Sequence, residues 1–188
     1  CTRIVLVGSQ EEPDKGNGIP SSPYAAAKWS ASAYARMFHA LYNTPVTIAR
    51  VFMVYGPGQN DLSKLIPYVT LSLLRGKIPR LTSGTRQIDW IYVEDVAQGL
   101  LSLAVSENVE GRTVDLGSGL LLSIKDTIDT LEQIIGGKTK SVFGSIPDRP
   151  MEQVRVADVK KTYEMIGWKP DIDLEKGLRK TVDWYKQQ

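Results

Sequence analysis

Tyr24 and Lys28 stand four residues apart in the segment Ser22-Pro23-Tyr24-Ala25-Ala26-Ala27-Lys28. Four residues make about one turn of an α-helix, so both side chains leave the same face. An ammonium group beside a phenol stabilises the phenolate, which can exchange a proton with a substrate hydroxyl near neutral pH. Because tyrosine and lysine also occur at this spacing on ordinary helices, the pair predicts a catalytic site only if neighbouring segments support it.

The composition is that of an ordinary globular protein, with 188 residues, 42% of them hydrophobic and 23% charged, and a net charge of +2. This balance gives no electrostatic reason to expect a nucleic-acid or membrane partner, and no apolar run approaches the roughly 20 residues of a membrane span. A single cysteine excludes an internal disulfide framework and fits a reducing compartment, so we expect a cytoplasmic protein. One histidine, His39, cannot build a histidine metal cluster, and we expect no metal site.

Strand-like and helix-like segments alternate along the chain. Apolar runs predict strands at 3–8, 47–52, 89–93 and 113–116, and loops are predicted at 10–23 and 141–158. Helical patterns are predicted at 24–42, 62–75, 94–106, 124–135, 160–166 and 174–186. The second of these helices is expected to be interrupted near Pro67.

This alternation predicts a parallel α/β sheet with helices on both faces. Ligands of such sheets bind beyond the carboxyl ends of the strands. Ser9 and the segment 53–58 follow predicted strands, and Tyr24 opens the helix that leads away from the loop after the first strand. We therefore expect these three segments to meet at one rim of the sheet.

Seven motifs run in order along nearly the whole chain: Val7-Gly8-Ser9, Pro23-Tyr24-Ala25-Ala26-Ala27-Lys28, Arg50-Val51-Phe52-Met53-Val54-Tyr55-Gly56-Pro57-Gly58, Asp89-Trp90-Ile91-Tyr92-Val93-Glu94-Asp95-Val96-Ala97, Asp115-Leu116-Gly117-Ser118-Gly119, Asp148-Arg149-Pro150 and Ile166-Gly167-Trp168-Lys169-Pro170. With them the chain resembles the extended short-chain dehydrogenase/reductase family, and more narrowly the NAD-dependent epimerase/dehydratase group that modifies nucleotide-linked sugars. The resemblance implies the C-terminal part of a Rossmann-like doubly wound parallel sheet plus a small α+β substrate-binding lobe.

The same resemblance implies a division of the chain into four parts. Residues 1–60 would hold late Rossmann strands and the catalytic helix. Residues 61–112 would hold a substrate-lobe helix and strand with a return helix. The last Rossmann strand and helix would occupy 113–136, and the C-terminal substrate lobe would occupy 137–188.

The resemblance also implies a role for each residue at the predicted rim. Ser9 would hydrogen-bond the reacting oxygen and polarise it, and Tyr24 would be the general acid/base. Lys28 would stabilise the Tyr24 phenolate and hold the nicotinamide ribose. The expected cofactor contacts are Tyr24, Lys28, Phe52 and Val54.

Glu11, Met53, Arg86 and Arg149 are the substrate contacts that the resemblance implies. Met53 replaces an asparagine that is usual in the family, which puts a polar substrate contact there in doubt. Arg86 and Arg149 match arginines that bind the nucleotide diphosphate, and paired guanidiniums suit that group because each can bind it bidentately. For both arginines an ordinary solvated surface charge is the alternative.

A glycine-rich strand–turn–helix, which holds the cofactor pyrophosphate in this family, is not found in the sequence. We therefore expect the first part of the sheet to lie before Cys1, and the sequence does not separate NAD from NADP. Dehydratases of the family place an acidic pair after the serine or threonine, whereas Ser9 is followed here by Gln10 and Glu11. This favours epimerisation or reduction over dehydration.

Two functions stay open at this point. The complete protein would carry out NAD(P)-dependent modification of a nucleotide-activated sugar through hydride transfer. Alternatively, the chain is a truncated non-catalytic fragment or a partner subunit that does not bind cofactor by itself. In either case a homodimer through the 24–42 helix is possible, because relatives dimerise through that region.

Overall fold

A computed structural model describes residues 2–13, 18–151 and 153–188. Its strands are β1 (Ile4–Ser9), β2 (Val46–Val51), β3 (Met53–Tyr55), β4 (Gln87–Tyr92), β5 (Thr113–Leu116) and β6 (Leu121–Ser123). Its helices are α1 (Pro23–Tyr42), α2 (Leu65–Leu74), α3 (Val93–Val105), α4 (Ile124–Ile135), α5 (Val159–Ile166) and α6 (Leu174–Lys186). The α/β class predicted from the sequence is confirmed.

The strands of the described residues form two three-stranded sheets. β1, β2 and β5 are parallel and lie in the order β1-β2-β5. Ser9 is in register with Val51, and Val51 with Leu116, so the carboxyl ends of the three strands are level at one rim. In the second sheet β3 pairs parallel with β4, and β4 pairs antiparallel with β6. The three-residue strands β3 and β6 were not predicted, because so few residues show no periodicity.

Helices cover both faces of the first sheet. Successive strand residues point to opposite faces, and on β2 the buried Ile48 packs in the cluster that contains Ala35 of α1. Its neighbour Ala49 packs in the cluster that contains Val96 and Leu103 of α3. The expectation of helices on both faces is therefore confirmed.

A second core lies between α2, α4, α6 and the strand β4. Its fully or nearly fully buried members include Ile66, Val69, Ile88, Ile128, Leu131, Leu178 and Val182. α4 thus packs with the helices of this cluster, whereas β5 belongs to the first sheet. The sequence order of β5 and α4 does not show which core each one joins, and the division of the chain into four parts stays a prediction.

The predicted interruption of the second helix at Pro67 is wrong. α2 begins at Leu65 and continues to Leu74, so Pro67 lies in its first turn. The main-chain N–H groups of a first turn have no partner within the helix, so a proline there removes no hydrogen bond.

Candidate functional site

The amino-terminal end of α1 carries the tyrosine and lysine predicted to act together. The Ser22 hydroxyl caps the helix by accepting a hydrogen bond from Ala25 N at 3.1 Å, and Pro23 occupies the first helical position. Tyr24 therefore lies in the first turn, where the helix dipole favours a negative charge. Lys28 Nζ lies 5.8 Å from the centroid of the Tyr24 ring, so the structure brings the two side chains together.

Lys28 also connects α1 to the first sheet. Its Nζ donates a hydrogen bond to the main-chain oxygen of Val7 at 2.9 Å, two residues before the end of β1. An ammonium group has three N–H donors, so this contact leaves donors for a ligand. Tyr24 is 53% exposed, and its phenol is therefore accessible to a substrate at the same rim.

Ser9 is the last residue of β1 and is buried. Its hydroxyl oxygen accepts a hydrogen bond from Glu11 N at 3.2 Å, and its own N–H donates to Glu12 Oε1 at 2.8 Å. The bond from Glu11 N uses one of the two lone pairs of the hydroxyl oxygen and leaves its proton available to a ligand. Accepting one hydrogen bond also strengthens a hydroxyl as a donor.

Glu12, which the sequence analysis did not single out, is buried and directs its carboxylate at β1. A Cβ on Gly8 would lie 2.6 Å from Glu12 Oε1 and 3.1 Å from Ile48 Cγ2, so a glycine is needed for this close approach. The neighbouring Glu11 is only partly buried. Glu12 therefore holds the turn through its bond to Ser9 N, and Glu11 is the more exposed of the two acids.

The residues predicted to contact ligands after β2 lie in different environments. Phe52 is 4% exposed and packs in the core on the α3 side, so only its main chain is available to a ligand. Val54 packs against the same core, while Met53 packs against the core of α2, α4 and α6. Met53 and Val54 thus lie at the junction of the two cores, and their ligand contacts stay predictions.

The two segments that carry the predicted diphosphate arginines are tied together. Asp148 Oδ1 accepts hydrogen bonds from both the N–H and the hydroxyl of Ser83, each at 3.0 Å. Arg86, partly buried, lies three residues after Ser83, and the exposed Arg149 directly follows Asp148. The structure therefore places both arginines on neighbouring segments, as a shared anionic ligand requires.

Asp89 of β4 is a fully buried carboxylate that accepts four hydrogen bonds. Its Oδ1 accepts from the N–H and hydroxyl of Ser118 at 2.6 and 2.7 Å. Its Oδ2 accepts from Gly119 N at 3.0 Å and Ala157 N at 2.9 Å. Asp89 thereby fixes two loop segments beside the rim. Asp89 lies in one of the seven sequence motifs, but no local pattern predicts this role for it.

Within residues 2–13, 18–151 and 153–188, no three or more His, Cys, Asp or Glu side chains are grouped so that they could hold a metal ion. None of the helices formed by the same residues has the length and apolar character that crossing a bilayer requires.

Comparison with known proteins identifies relatives of this arrangement. A sequence model of the NAD dependent epimerase/dehydratase family matches residues 5–117. UDP-glucuronate 4-epimerase of Thermodesulfobacterium geofontis is 32% identical in an alignment 170 residues long that covers 89% of this chain and 51% of the relative. dTDP-glucose 4,6-dehydratase 1 of Escherichia coli is 36% identical in an alignment 178 residues long that covers 88% of this chain and 48% of the relative. The chain thus spans about half the length of these curated relatives.

Among solved structures, UDP-glucuronic acid 4-epimerase from Bacillus cereus in complex with UDP-glucuronic acid and NAD superimposes with a TM-score of 0.87. It is 26% identical, and the match covers 97% of this chain and 61% of that one. The Rossmann-type architecture inferred from the motifs is confirmed by this similarity.

Proposed function

The chain belongs to the NAD dependent epimerase/dehydratase family, and on this premise we propose that the complete protein uses NAD or NADP to epimerise or reduce a nucleotide-activated sugar. The observation that carries the proposal is the Lys28 ammonium, 5.8 Å from the Tyr24 ring and bonded to the strand that ends at Ser9. When bound, the nicotinamide would supply the acceptor for a hydride that leaves the sugar carbon.

The residues at the rim suit a nicotinamide nucleotide. Lys28 keeps N–H donors beyond its bond to Val7, and ribose hydroxyls are suitable acceptors for them. The Tyr24 hydroxyl, the main chain of Phe52 and the partly buried Val54 complete the set that would hold the cofactor. The NAD bound in the Bacillus cereus relative supports this choice of cofactor.

Tyr24 would act as the base that receives the proton of a sugar hydroxyl. The O–H bond breaks as the C=O bond forms, the proton moves to the phenolate, and the hydride leaves the same carbon. Ser9 would donate its hydroxyl proton in a hydrogen bond to the reacting oxygen, and the bond that the Ser9 oxygen accepts from Glu11 N would strengthen it as a donor. The resulting ketone would be reduced again, from the opposite face in an epimerase.

The acids after Ser9 favour epimerisation or reduction over dehydration. Elimination needs a group that removes a proton from carbon and a group that protonates the leaving oxygen. Glu12 is buried with its carboxylate on Ser9 N, so Glu11 alone is available beside Ser9. Relatives of both kinds match the chain, and the preference therefore rests on these two glutamates.

Arg86 and Arg149 would bind the diphosphate of the substrate. Their segments are joined through Asp148 and Ser83, and guanidinium groups bind phosphate oxygens bidentately. The relatives named above carry UDP- and dTDP-sugars in their names, which supports a nucleoside diphosphate sugar as the substrate class.

The test is a screen of nucleotide sugars with the full-length protein and its Tyr24→Phe variant. Reduced nicotinamide is followed by absorbance and the sugar products are identified. We expect turnover of at least one nucleotide sugar by the wild type, and a loss of about 10²–10⁴-fold in the variant with little loss of substrate binding. Tyr163→Phe, which removes an exposed phenol from α5, is the control. Equal rates in the wild type and Tyr24→Phe would remove Tyr24 from the mechanism.

A second candidate, a chain that binds no cofactor by itself, is favoured by the edge of β1. β1 pairs only with β2 among the described residues, and Ile4 and Val7 on it are exposed. The unpaired main-chain groups of such an edge offer a template for pairing with a further strand. For the 188-residue chain alone we expect little or no NAD affinity, and tight binding in calorimetry would contradict this candidate.

The proposal has two further parts. The protein would be cytoplasmic, and it would form a homodimer through α1. The outward face of this helix exposes Tyr34, Phe38, Leu41 and Tyr42, and the ring centroids of Phe38 and Tyr42 lie 5.7 Å apart. A contiguous apolar patch of this kind is typical of an interface. A second copy of the same face would bury it, and light scattering of the full-length protein with Phe38→Glu should then report a monomer.

A further inference from the structure

Arg155 connects the C-terminal part of the chain to the turn that follows Ser9. Its Nη1 donates hydrogen bonds to the main-chain oxygens of Gln10 at 2.8 Å and Glu12 at 3.0 Å. These two carbonyls flank Glu11, whose N–H in turn donates to Ser9 Oγ. One nitrogen of the guanidinium therefore bonds to the carbonyls on both sides of Glu11, in the turn that carries the proposed catalytic serine and acid.

The backbone beside Arg155 is itself anchored to the first sheet and to β4. Ala157 N donates to Asp89 Oδ2 at 2.9 Å, and Asp158 N donates to Asp115 Oδ2 at 3.2 Å. Exposure alternates along this stretch, so that Arg155 and Ala157 face the protein while the valines between and before them face solvent. The main chain next to Arg155 is therefore held in place while the Arg155 side chain bonds to the turn.

We propose that Arg155 is a positioning residue, which holds the 10–12 turn so that the Ser9 hydroxyl and the Glu11 carboxylate keep their orientation toward the substrate. The inference rests on the proposed function, since it concerns the same proton transfer. Without the guanidinium, the Gln10 and Glu12 carbonyls lose their shared donor. The peptide groups of the turn can then rotate, and the bond from Glu11 N to Ser9 Oγ weakens.

We expect removal of the Arg155 guanidinium to lower kcat and to leave KM nearly unchanged. The Ser9 hydroxyl contacts the oxygen on which charge changes during the reaction, so its alignment matters more in the transition state than in the bound substrate. Misplacement of a catalytic group by about 1 Å can lower a rate by about 100-fold. The proposed phosphate contacts, Arg86 and Arg149, lie on segments other than the turn and would continue to bind the nucleotide.

The first measurement compares steady-state kinetics of the full-length wild type, Arg155→Met and Arg155→Lys. We expect Arg155→Met to lower kcat by about 10- to 100-fold with KM nearly unchanged, and Arg155→Lys to restore part of kcat, because an ammonium can still donate to both carbonyls. Arg3→Met is the matched control. Arg3 bonds to the main chain of Leu103 and pairs with Glu110 beside the opposite end of β1, so its loss should leave kcat unchanged.

The second measurement needs no turnover. Amide hydrogen exchange of Glu11 and Glu12, whose N–H groups donate to Ser9, should be faster in Arg155→Met and unchanged in Arg3→Met. Arg155→Gln, which keeps an amide donor, replaces Arg155→Met in both measurements if that variant does not fold. The proposal would be overturned if the Arg155 variant showed wild-type exchange at these amides, a wild-type kcat, or only a rise in KM. An inactive wild type would refute the proposed function, and the exchange comparison would still decide whether Arg155 holds the turn.

Discussion

Lys28 donates a hydrogen bond to the main-chain oxygen of Val7 at 2.9 Å, and this contact joins α1 to the strand that ends at Ser9. The same ammonium lies beside the Tyr24 ring. A single cation therefore joins helix to strand and also lies beside the phenol that we propose as the catalytic base. In the proposed mechanism, both the position and the chemistry of Tyr24 would depend on this one side chain.

Lys28→Met should lower kcat by about 100-fold or more and raise KM for the nicotinamide cofactor. The methionine keeps the aliphatic stem, but it removes the charge beside Tyr24 and the donors proposed for the ribose. Steady-state kinetics of the full-length protein with varied cofactor would measure both effects. Lys186→Met, which removes an exposed lysine from α6, should leave both constants unchanged. A near-normal rate in Lys28→Met would show that the ammonium has no part in the mechanism.

Arg86→Met and Arg149→Met should each raise KM for the nucleotide sugar by about 10- to 100-fold, with kcat nearly unchanged. A hydrogen bond to a charged group contributes about 1.5–3 kcal/mol, and contacts to the diphosphate are present equally before and during the reaction. Initial rates over a range of substrate concentrations would separate the two constants. Arg179→Met, on the exposed side of α6, is the control. An unchanged KM in either variant would make that arginine an ordinary surface charge.

The elements of the fold could be predicted from the sequence because their signals are local. The continuous apolar run of β1, the mostly apolar β2 and the alanine-rich α1 are each recognised from a short stretch of chain. The packing of α4 could not be predicted, because Ile128 and Leu131 suit either core. Only the long-range contacts of α2 and α6 decide which core the helix joins.

The same distinction applies to the site. Tyr24 and Lys28 share one helix face, so their proximity follows from spacing alone. Arg155 is separated by 145 residues from Gln10, whose carbonyl it holds, and Asp89 by 68 from Ala157. No local pattern marks such pairs. Glu12 differs from Glu11 only in the direction of its side chain, which the backbone at the end of β1 determines.

Asp89→Asn should destabilise the protein by about 2–4 kcal/mol. An amide accepts hydrogen bonds through one oxygen only, so its NH₂ group would face the N–H groups of Gly119 and Ala157 that Oδ2 now satisfies. Each buried donor left without an acceptor costs about 1–3 kcal/mol. Urea unfolding of wild type and variant at the same pH would measure the loss.

Asp129→Asn is the matched control for this change. Asp129 makes an exposed ion pair with Lys125 on α4 at 2.8 Å, and exposed pairs of this kind add little to stability because solvent screens them. If Asp89→Asn and Asp129→Asn lower the free energy of unfolding by similar amounts, the hydrogen bonds of the buried Asp89 carboxylate add little to stability.

The last prediction concerns Glu132 on α4, whose side chain is 6% exposed. Its Oε1 accepts a hydrogen bond from Ser141 N at 2.6 Å, and its Oε2 lies 3.1 Å from Lys140 Nζ. Burial raises the pKa of this carboxyl, but the Ser141 bonds and the Lys140 ammonium outweigh burial, so the pKa lies below its ordinary value. The charged Glu132 carboxylate therefore stabilises the fold fully above its pKa in the unfolded chain, about 4.3. This stabilisation is lost as the pH falls through the pKa of Glu132 in the folded protein.

Glu132→Gln should accordingly cost about 1–2 kcal/mol near pH 7, and the difference from wild type should shrink as the pH falls below about 4. At low pH the wild-type carboxyl is neutral, and the glutamine oxygen can still accept from Ser141 N, so the two proteins converge. Urea unfolding across this pH range would measure the difference. Glu175→Gln, which removes an exposed partner of Arg179, should change stability little at any pH. A loss in Glu132→Gln that does not vary with pH would show that the charge of Glu132 is not what stabilises α4.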